Sequence, residues 1–169
     1  MQRRKVAKKM PYSKMKKSKS PSSSEVIKTE VVCPNDTNPM GILQGGRLVQ
    51  WMDIAAAVSS QLHTEKICVT ASMDRVRFKN PAYVGDIITI KAKITSTFTS
   101  SMEILVEAWS TNVAQPKKKL ICEAYFTFVV LDKKGKPTTV MAIKPVTSAE
   151  HKLHAEANKR REQDIRSKT

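Results

Sequence analysis

From Gly45 to His63 apolar and small residues recur at steps of three and four, with Leu48, Met52, Ala55, Ser59 and Leu62 on one face. That spacing predicts one helix of about five turns. Ala55, Ala56, Ala57, Ser59 and Ser60 would let another layer approach it closely, and a helix so apolar on most sides is expected to be largely buried. The pattern elsewhere is that of strands. "EVIKTEVVC", Glu25 to Cys33, is rich in β-branched residues and stops at Pro34, and a turn-rich loop follows to Gly41. After the helix come "ICVTASMDRVRF", "DIITIKAKITSTF", "SMEILVEAWSTNV" and "KLICEAYFTFVVLD", separated by turns at "KNPAYVGD", "TFTSS" and "AQPKK". Long consecutive strands of this kind pair antiparallel. In the last segment Thr147 and Glu150 have the spacing of a capping box, and the Ala, Glu, Lys and Arg that follow predict a surface helix with a polar outer face.

The fold class is therefore α+β: a five-stranded antiparallel sheet curled around a long central helix, with a C-terminal surface helix. An open edge and one bare sheet face remain, and self-association would cover them. No internal repeat occurs, which excludes two tandem copies of the unit.

The formal charge of +15 over 169 residues directs attention to nucleic acid, so its location matters. Residues 1–20 hold nine Lys/Arg and no acid, residues 151–169 hold six against three, and the remainder is nearly balanced. The basicity belongs mostly to the tails. Residues 1–24 read as a disordered basic arm, 25–146 as the folded domain, and 147–169 as the C-terminal helix and tail. The arm has no apolar run for a secretory signal and no interleaved aromatics for base stacking, so a solvated tail outweighs a nucleic-acid arm. A transit peptide is a weaker option. Cys33, Cys68 and Cys122 are far apart and in no metal-ligand spacing, which fits reduced thiols buried as small hydrophobes in a cytoplasmic protein. There is no run of apolar residues long enough to span a membrane.

Asp53 is the feature that calls for chemistry. It is the one acid between Asp36 and Glu65, set among Trp51, Met52, Ile54 and Ala55. A carboxylate there is costly unless it is hydrogen-bonded, solvated or reachable from a cleft, and an acid at an exposed helix edge competes evenly with a functional role. Upstream, Gly45 and Gly46 open the helix, where unpaired N–H groups and the helix dipole suit an anionic oxygen. For the glycine pair taken alone, a close backbone contact is the simpler explanation. His63 at the helix end is expected to complement the dipole, and His151 and His154 to be solvated.

Asn38-Pro39-Met40-Gly41, then Gly45-Gly46, then "WMD" at Trp51 to Asp53 resemble the signature of the hot-dog-fold acyl-CoA thioesterases of the cytosolic acyl-CoA hydrolase type. "VTASMDRVRFKNPAYVGD", "TSSMEILVEAW" and "FTFVVLDKKGKP" continue the likeness over residues 30 to about 165. One departure is Gln44, at a position often aromatic or His. The resemblance implies a hot-dog fold working as a homo-oligomer, a dimer of hot dogs and further a trimer of dimers or hexamer. It implies hydrolysis of fatty acyl-CoA to free acid and CoA, with no cofactor and no metal. By the motif, Asn38 and Asp53 match the catalytic asparagine and aspartate, and Gly46 the glycine whose amide holds the thioester oxygen. Gly45, Thr70 and Ser101 join as substrate-binding residues. Arg75, Arg77 and Lys79 are the nearest cations for the CoA phosphates, although alternating charges on a strand are usually its solvated face. With no helix-borne His or Glu at the site, a hot-dog dehydratase is disfavoured. The alternative from another class is a nucleic-acid-associated protein using the basic arm.

Overall fold

The computed structural model describes residues 18–167. In chain order it contains β1 (Ser18–Lys19), β2 (Val26–Val31), α1 (Gly45–Thr64), β3 (Cys68–Phe78), β4 (Ile87–Thr97), β5 (Ser101–Thr111), β6 (Lys119–Val130), β7 (Ala142–Ile143) and α2 (Ser148–Arg166). β2 to β6 form one antiparallel sheet in the order β2-β4-β5-β6-β3. β2 and β3 are its edges. The strand directly after α1 thus crosses to the far edge and pairs with the last long strand, a placement that no local pattern encodes.

The sheet wraps α1. Inward residues of β4, β5 and β6, among them Ile88, Ile90, Ile104, Val106, Phe126 and Phe128, are at most 1% exposed. They meet Leu48, Trp51, Met52, Ala55 and Ala56 of α1, all buried. The small side chains of Ala55 and Ala56 let helix and sheet approach closely there. Ser59 lies in the same buried face and donates to the carbonyl of Ser24 at 2.8 Å. α1 is not buried all round, however. Ile54, Val58 and Leu62 form an exposed stripe one turn apart on its other side, 43%, 43% and 55% accessible.

Several expectations are corrected. The basic arm lies outside the described residues as far as position 17, but 18–24 are ordered: β1 pairs in parallel with β7, and Pro21–Ser24 forms a 3-10 turn. Lys19 anchors this strap to the end of α1, donating to the carbonyls of Leu62 and His63 and pairing with Glu65 at 2.9 Å. Lys19 therefore caps the helix, and His63 does not. The His63 ring is fully buried, its Nε2 is 2.8 Å from the Met141 carbonyl, and burial pushes its pKa below the usual value. His154 is half-buried beside the Thr95 carbonyl and Asn158. Cys33 is exposed, while Cys68 and Cys122 are buried.

α2 begins on the capping box read from the sequence: Thr147 Oγ1 accepts from the Glu150 N–H, and Glu150 accepts from the N–H groups of Val146 and Thr147. Its outer face is polar, but it also docks on the outside of the sheet. Arg160 makes two bonds of 3.0 and 2.7 Å to Glu103 of β5 and stacks on Tyr125. No helix among the described residues is long and apolar enough to cross a membrane.

Candidate active site

The loop before α1 is built by local bonds. Asn38 N–H donates to the Ile42 carbonyl at 2.9 Å, and Asn38 Oδ1 accepts from the N–H groups of Met40 and Ile42 at 3.0 and 3.1 Å. Asn38 thus makes the Asx-type turn that Asn-Pro sequences favour. Two backbone donors on one atom identify it as the oxygen, so the amide NH2 is the end left to offer to a ligand. A ladder contact between Thr37 and Leu43 closes the loop, and Gln44 spans it from Nε2 to the Thr37 carbonyl at 3.0 Å.

α1 then starts without a side-chain N-cap, since Gln44 is engaged elsewhere. The first N–H groups have no partner within the helix and carry the positive end of its dipole. The two glycines there differ in why they are glycine. A Cβ on Gly45 would lie 3.0 Å from the Phe78 ring, so that residue is small because β3 packs against it. A Cβ on Gly46 would meet nothing of its own chain within 4 Å. Gly46 is exposed and open.

Asp53 follows seven residues after Gly46, almost exactly two turns on, which puts both on one flank of α1. This flank lies between the buried face and the exposed stripe, and Asp53 is half-buried. Thr70 Oγ1 donates to Asp53 Oδ1 at 2.7 Å. On its rung of the sheet Thr70 pairs with Phe128, which pairs with Met102, both pointing into the core, so the Thr70 side chain faces α1. The bond holds one carboxylate oxygen and leaves the other open.

Not all the expected residues meet. Ser101 shares the neighbouring rung with Val129 and Val69, so its side chain stands on the opposite face of the sheet from Thr70 and away from Asp53. Arg75, Arg77 and Lys79 are exposed, and Lys79 pairs with Glu123 at 3.2 Å. The expected alternation is broken here: β3 slips register between Asp74 and Arg77, and Arg75 has a left-handed φ of 54°.

Sequence reasoning missed Asp36. It is buried, accepts from the Cys33 N–H at 2.9 Å and pairs with Arg47 Nε at 2.7 Å. The Cys33 amide first, and the Arg47 guanidinium with it, hold its carboxyl below the ordinary value against the cost of burial. An Asp two residues before Asn38 and an Arg just inside the helix were the available signal.

Two cavities flank α1. One of about 460 Å³ lies at its N-terminal end against Gly45, Leu48, Phe78, Pro81 and Ile121, and one of about 510 Å³ at its C-terminal end against Gln61, Ile67 and Leu131. Asp53 lines neither of them. Its open oxygen stands on a flank of α1 beside the exposed Ile54 and the β3 edge that carries Thr70.

A long helix wrapped by such a sheet is the hot-dog architecture. The thioesterase superfamily model matches residues 40–117, which span the Asn38 turn's end, α1 and strands β3 to β5. The uncharacterized acyl-CoA thioester hydrolase YkhA of Bacillus subtilis is 37% identical over 137 residues, covering 81% of this chain and 80% of its own. The chain belongs to the thioesterase superfamily. Rat acetyl-coenzyme A thioesterase is 36% identical, but the match spans only 25% of that longer protein. Among solved structures, a hexameric acyl-CoA thioesterase superposes with a TM-score of 0.86 at 34% identity, covering 90% of this chain and 97% of that one. A Staphylococcus aureus acyl-CoA hydrolase solved with butyryl coenzyme A and coenzyme A superposes with a TM-score of 0.81 at 35% identity, covering 89% of this chain and 94% of that one. Alanine variants of that hydrolase at an asparagine, an aspartate and a threonine have also been solved, and the three stand at the same sequence spacing as Asn38, Asp53 and Thr70.

Proposed function

We propose that the protein hydrolyses fatty acyl-CoA thioesters to the free acid and CoA, at sites shared between two copies of the chain. In each site one chain supplies two donors, the Gly46 N–H and the Asn38 amide, and the other supplies Asp53 held by Thr70. The observation that carries this reading is the separation of Gly46 and Asp53 along one flank of α1. At 1.5 Å per residue they are about 10 Å apart along the axis. A group that polarises a carbonyl oxygen and a group that activates the attack on its carbon must lie within roughly 3 Å of adjacent atoms. One chain cannot meet that requirement; two antiparallel copies of α1, side by side, bring each Gly46 against the other's Asp53.

The surface favours the same pairing. β3 is an 11-residue edge with Val69, Met73 and Phe78 exposed, and α1 exposes the stripe of Ile54, Val58 and Leu62. A second copy seated there covers both the open ladder and the apolar stripe. The hexameric relatives support higher assembly of such pairs, a trimer of dimers.

The chemistry asks little of the protein. A thioester carbonyl is electrophilic, and a thiolate leaves readily. The helix-terminal N–H stabilises the oxyanion as the carbonyl carbon becomes tetrahedral, with no reorganisation needed. Asn38, with its oxygen tied to the turn, donates from its NH2 to the carbonyl or to water. Asp53 takes the proton of the attacking water, or attacks directly to form an anhydride that water then opens. In both routes the C–S bond breaks as the tetrahedral centre collapses, and the thiolate is protonated to free CoA. A single turnover in H2(18)O detects the anhydride: a general base puts the label in the product acid and none in Asp53, whereas an anhydride opened by water at the Asp53 carbonyl puts the label in Asp53 and passes an unlabelled Asp53 oxygen to the product acid. Arg75 and Arg77, exposed where β3 slips register, are the cations this reading assigns to the CoA phosphates.

The test is thiol release from a panel of acyl-CoAs, with mixed oligomers as the decisive arm. Asn38→Ala and Asp53→Ala chains are each expected to be inactive, and subunit exchange between them to restore one intact site in each hybrid pair. Comparable rates in wild type and Asp53→Ala would remove Asp53 from the chemistry, and no recovery despite verified exchange would remove the shared site.

A further inference from the structure

Asn38 and Gly46 lie in different segments, a loop and a helix, yet in the reading above they must serve one thioester together. Three bonds to a single residue tie those segments to each other and to the end of β2. The Asp36 carboxylate accepts from the Cys33 N–H at 2.9 Å, where β2 ends, and from Arg47 Nε at 2.7 Å, in the first turn of α1. The Asp36 carbonyl accepts from the Gln44 N–H at 2.9 Å. Arg47 is in turn aligned from two sides: its Nη1 donates to Gln50 Oε1 at 2.9 Å, and its guanidinium lies 5.6 Å from the Trp51 ring centre. Arg47 is the neighbour of Gly46, and Asp36 is two residues from Asn38. A buried carboxylate is expensive, and hydrogen bonds to it contribute most when they fix a geometry that nothing else fixes. Here Gln44 makes no N-cap, so the helix start lacks its usual anchor.

We infer that Asp36 and Arg47 are positioning residues, a staple that sets the spacing and direction of the Asn38 and Gly46 donors. The inference rests on the shared-site reading above. Neither residue touches the thioester; each acts through the donor half of the site. The acceptor half, Asp53 with Thr70, is built on the middle of α1 and on β3, and the staple does not reach it.

The test uses the full chain as its native oligomer, with Asp36→Asn, Arg47→Gln and the milder Arg47→Lys. A donor misplaced by about 1 Å costs up to roughly a hundredfold, so kcat is expected to fall roughly tenfold or more in the first two, with KM changed less than about twofold. Because both act through one bond, the double variant should be no worse than either single one. Arg47→Lys, which keeps the charge without the fork, should fall between.

Subunit exchange then separates positioning from general damage. Asp36→Asn mixed with Asp53→Ala should gain a site of wild-type kcat, since that site takes its donors from the chain with the intact staple. Asp36→Asn mixed with Asn38→Ala should gain nothing over the Asp36→Asn parent. The positioning role is overturned if Asp36→Asn mixed with Asp53→Ala gains nothing while Asn38→Ala with Asp53→Ala recovers, or if all three variants keep wild-type kcat. If Asn38→Ala with Asp53→Ala also fails to recover, the shared-site reading falls and takes the staple's role with it.

Discussion

The two halves of the proposed site, the donors Asn38 and Gly46 and the acceptor Asp53 with Thr70, are held by different kinds of structure. The donor half is mostly local. The Asx turn at Asn38 and the Asp36 staple lie between residues 33 and 50, while the Leu43 N–H to the Ala82 carbonyl and an Ile42–Tyr83 bridge tie the segment to the chain after β3. Its reactive groups are a backbone N–H and an amide whose oxygen is already committed. The acceptor half is long-range: one side chain on α1 meets one on β3, and their single bond of 2.7 Å exists only because the sheet brings its last edge round to the helix. A site can thus be rigid where it polarises the substrate and adjustable where it activates the attack. Backbone donors resist side-chain substitution, whereas an acceptor carboxylate is removed by one.

The largest test of that contrast is Asp53→Ala. General-base contributions of about 10²–10⁴-fold set the expected loss of kcat in thiol release, with thermal stability little changed for a half-buried side chain. A loss under about fivefold would transfer the acceptor role elsewhere.

Next, Gly46→Pro deletes the donor N–H at a helix position that tolerates proline, and a loss on the order of 10²–10³-fold is expected. Gly46→Ala keeps the N–H and meets no atom of its own chain, so any large effect it has on rate reports a substrate or partner atom close to that Cα. Gly45→Ala sharpens the pair. Its Cβ lies 3.0 Å from Phe78, so a cost of about 1 kcal/mol in denaturant unfolding is expected, relieved by Phe78→Leu.

Thr70→Val removes one hydroxyl and little volume. The expected loss is roughly fivefold in kcat, the worth of one hydrogen bond of about 1 kcal/mol. A null effect would mean that the Asp53 carboxylate is oriented by other groups in the assembled pair.

The smallest effect is on acid stability. The folded pKa of Asp36 lies below its ordinary value of 3.8, so the unfolded chain takes up its proton first as pH falls. Its contribution to stability is complete above that value and is lost progressively below it. Melting curves from pH 5 to 3 should show a shallower decline in Asp36→Asn than in wild type. An identical slope would mean that other carboxylates carry the loss. Glu150, held at about 2 by Ser22, Lys93 and the N–H groups of its capping box, contributes stability lost between 4.5 and that value in both proteins, and sets the background slope.

Much was legible along the chain where local rules dominate. The α1 pattern and all five long strands came from periodicity and β-branched runs, because burial repeats with the period of the element. The capping box at Thr147 and Glu150 was readable because its bonds join residues three apart. Asn38, Gly46 and Asp53 were singled out together through their likeness to the thioesterase signature, with Asp53 alone conspicuous as an acid in an apolar helix. Asp36 was not, since a buried aspartate and a solvated one look alike in a polar loop. His63 was misjudged for a related reason: the end of a helix is normally wet, and only the strap from Lys19 to Ser24 together with β7 makes this one dry.

What the sequence by itself determined is the set of elements and the chemical types near α1, since helix, strand and turn preferences act over a few residues and do not depend on where the chain goes next. What the tertiary structure alone decided is which side chains meet. The passage of β3 to the far edge put Thr70 on Asp53 and sent Ser101 to the opposite face. The rigid pitch of α1 kept Gly46 and Asp53 two turns apart. Contacts between distant segments depend on strand order, a long-range choice that is worth many small burial energies summed over the whole core and is written in no single stretch of the chain.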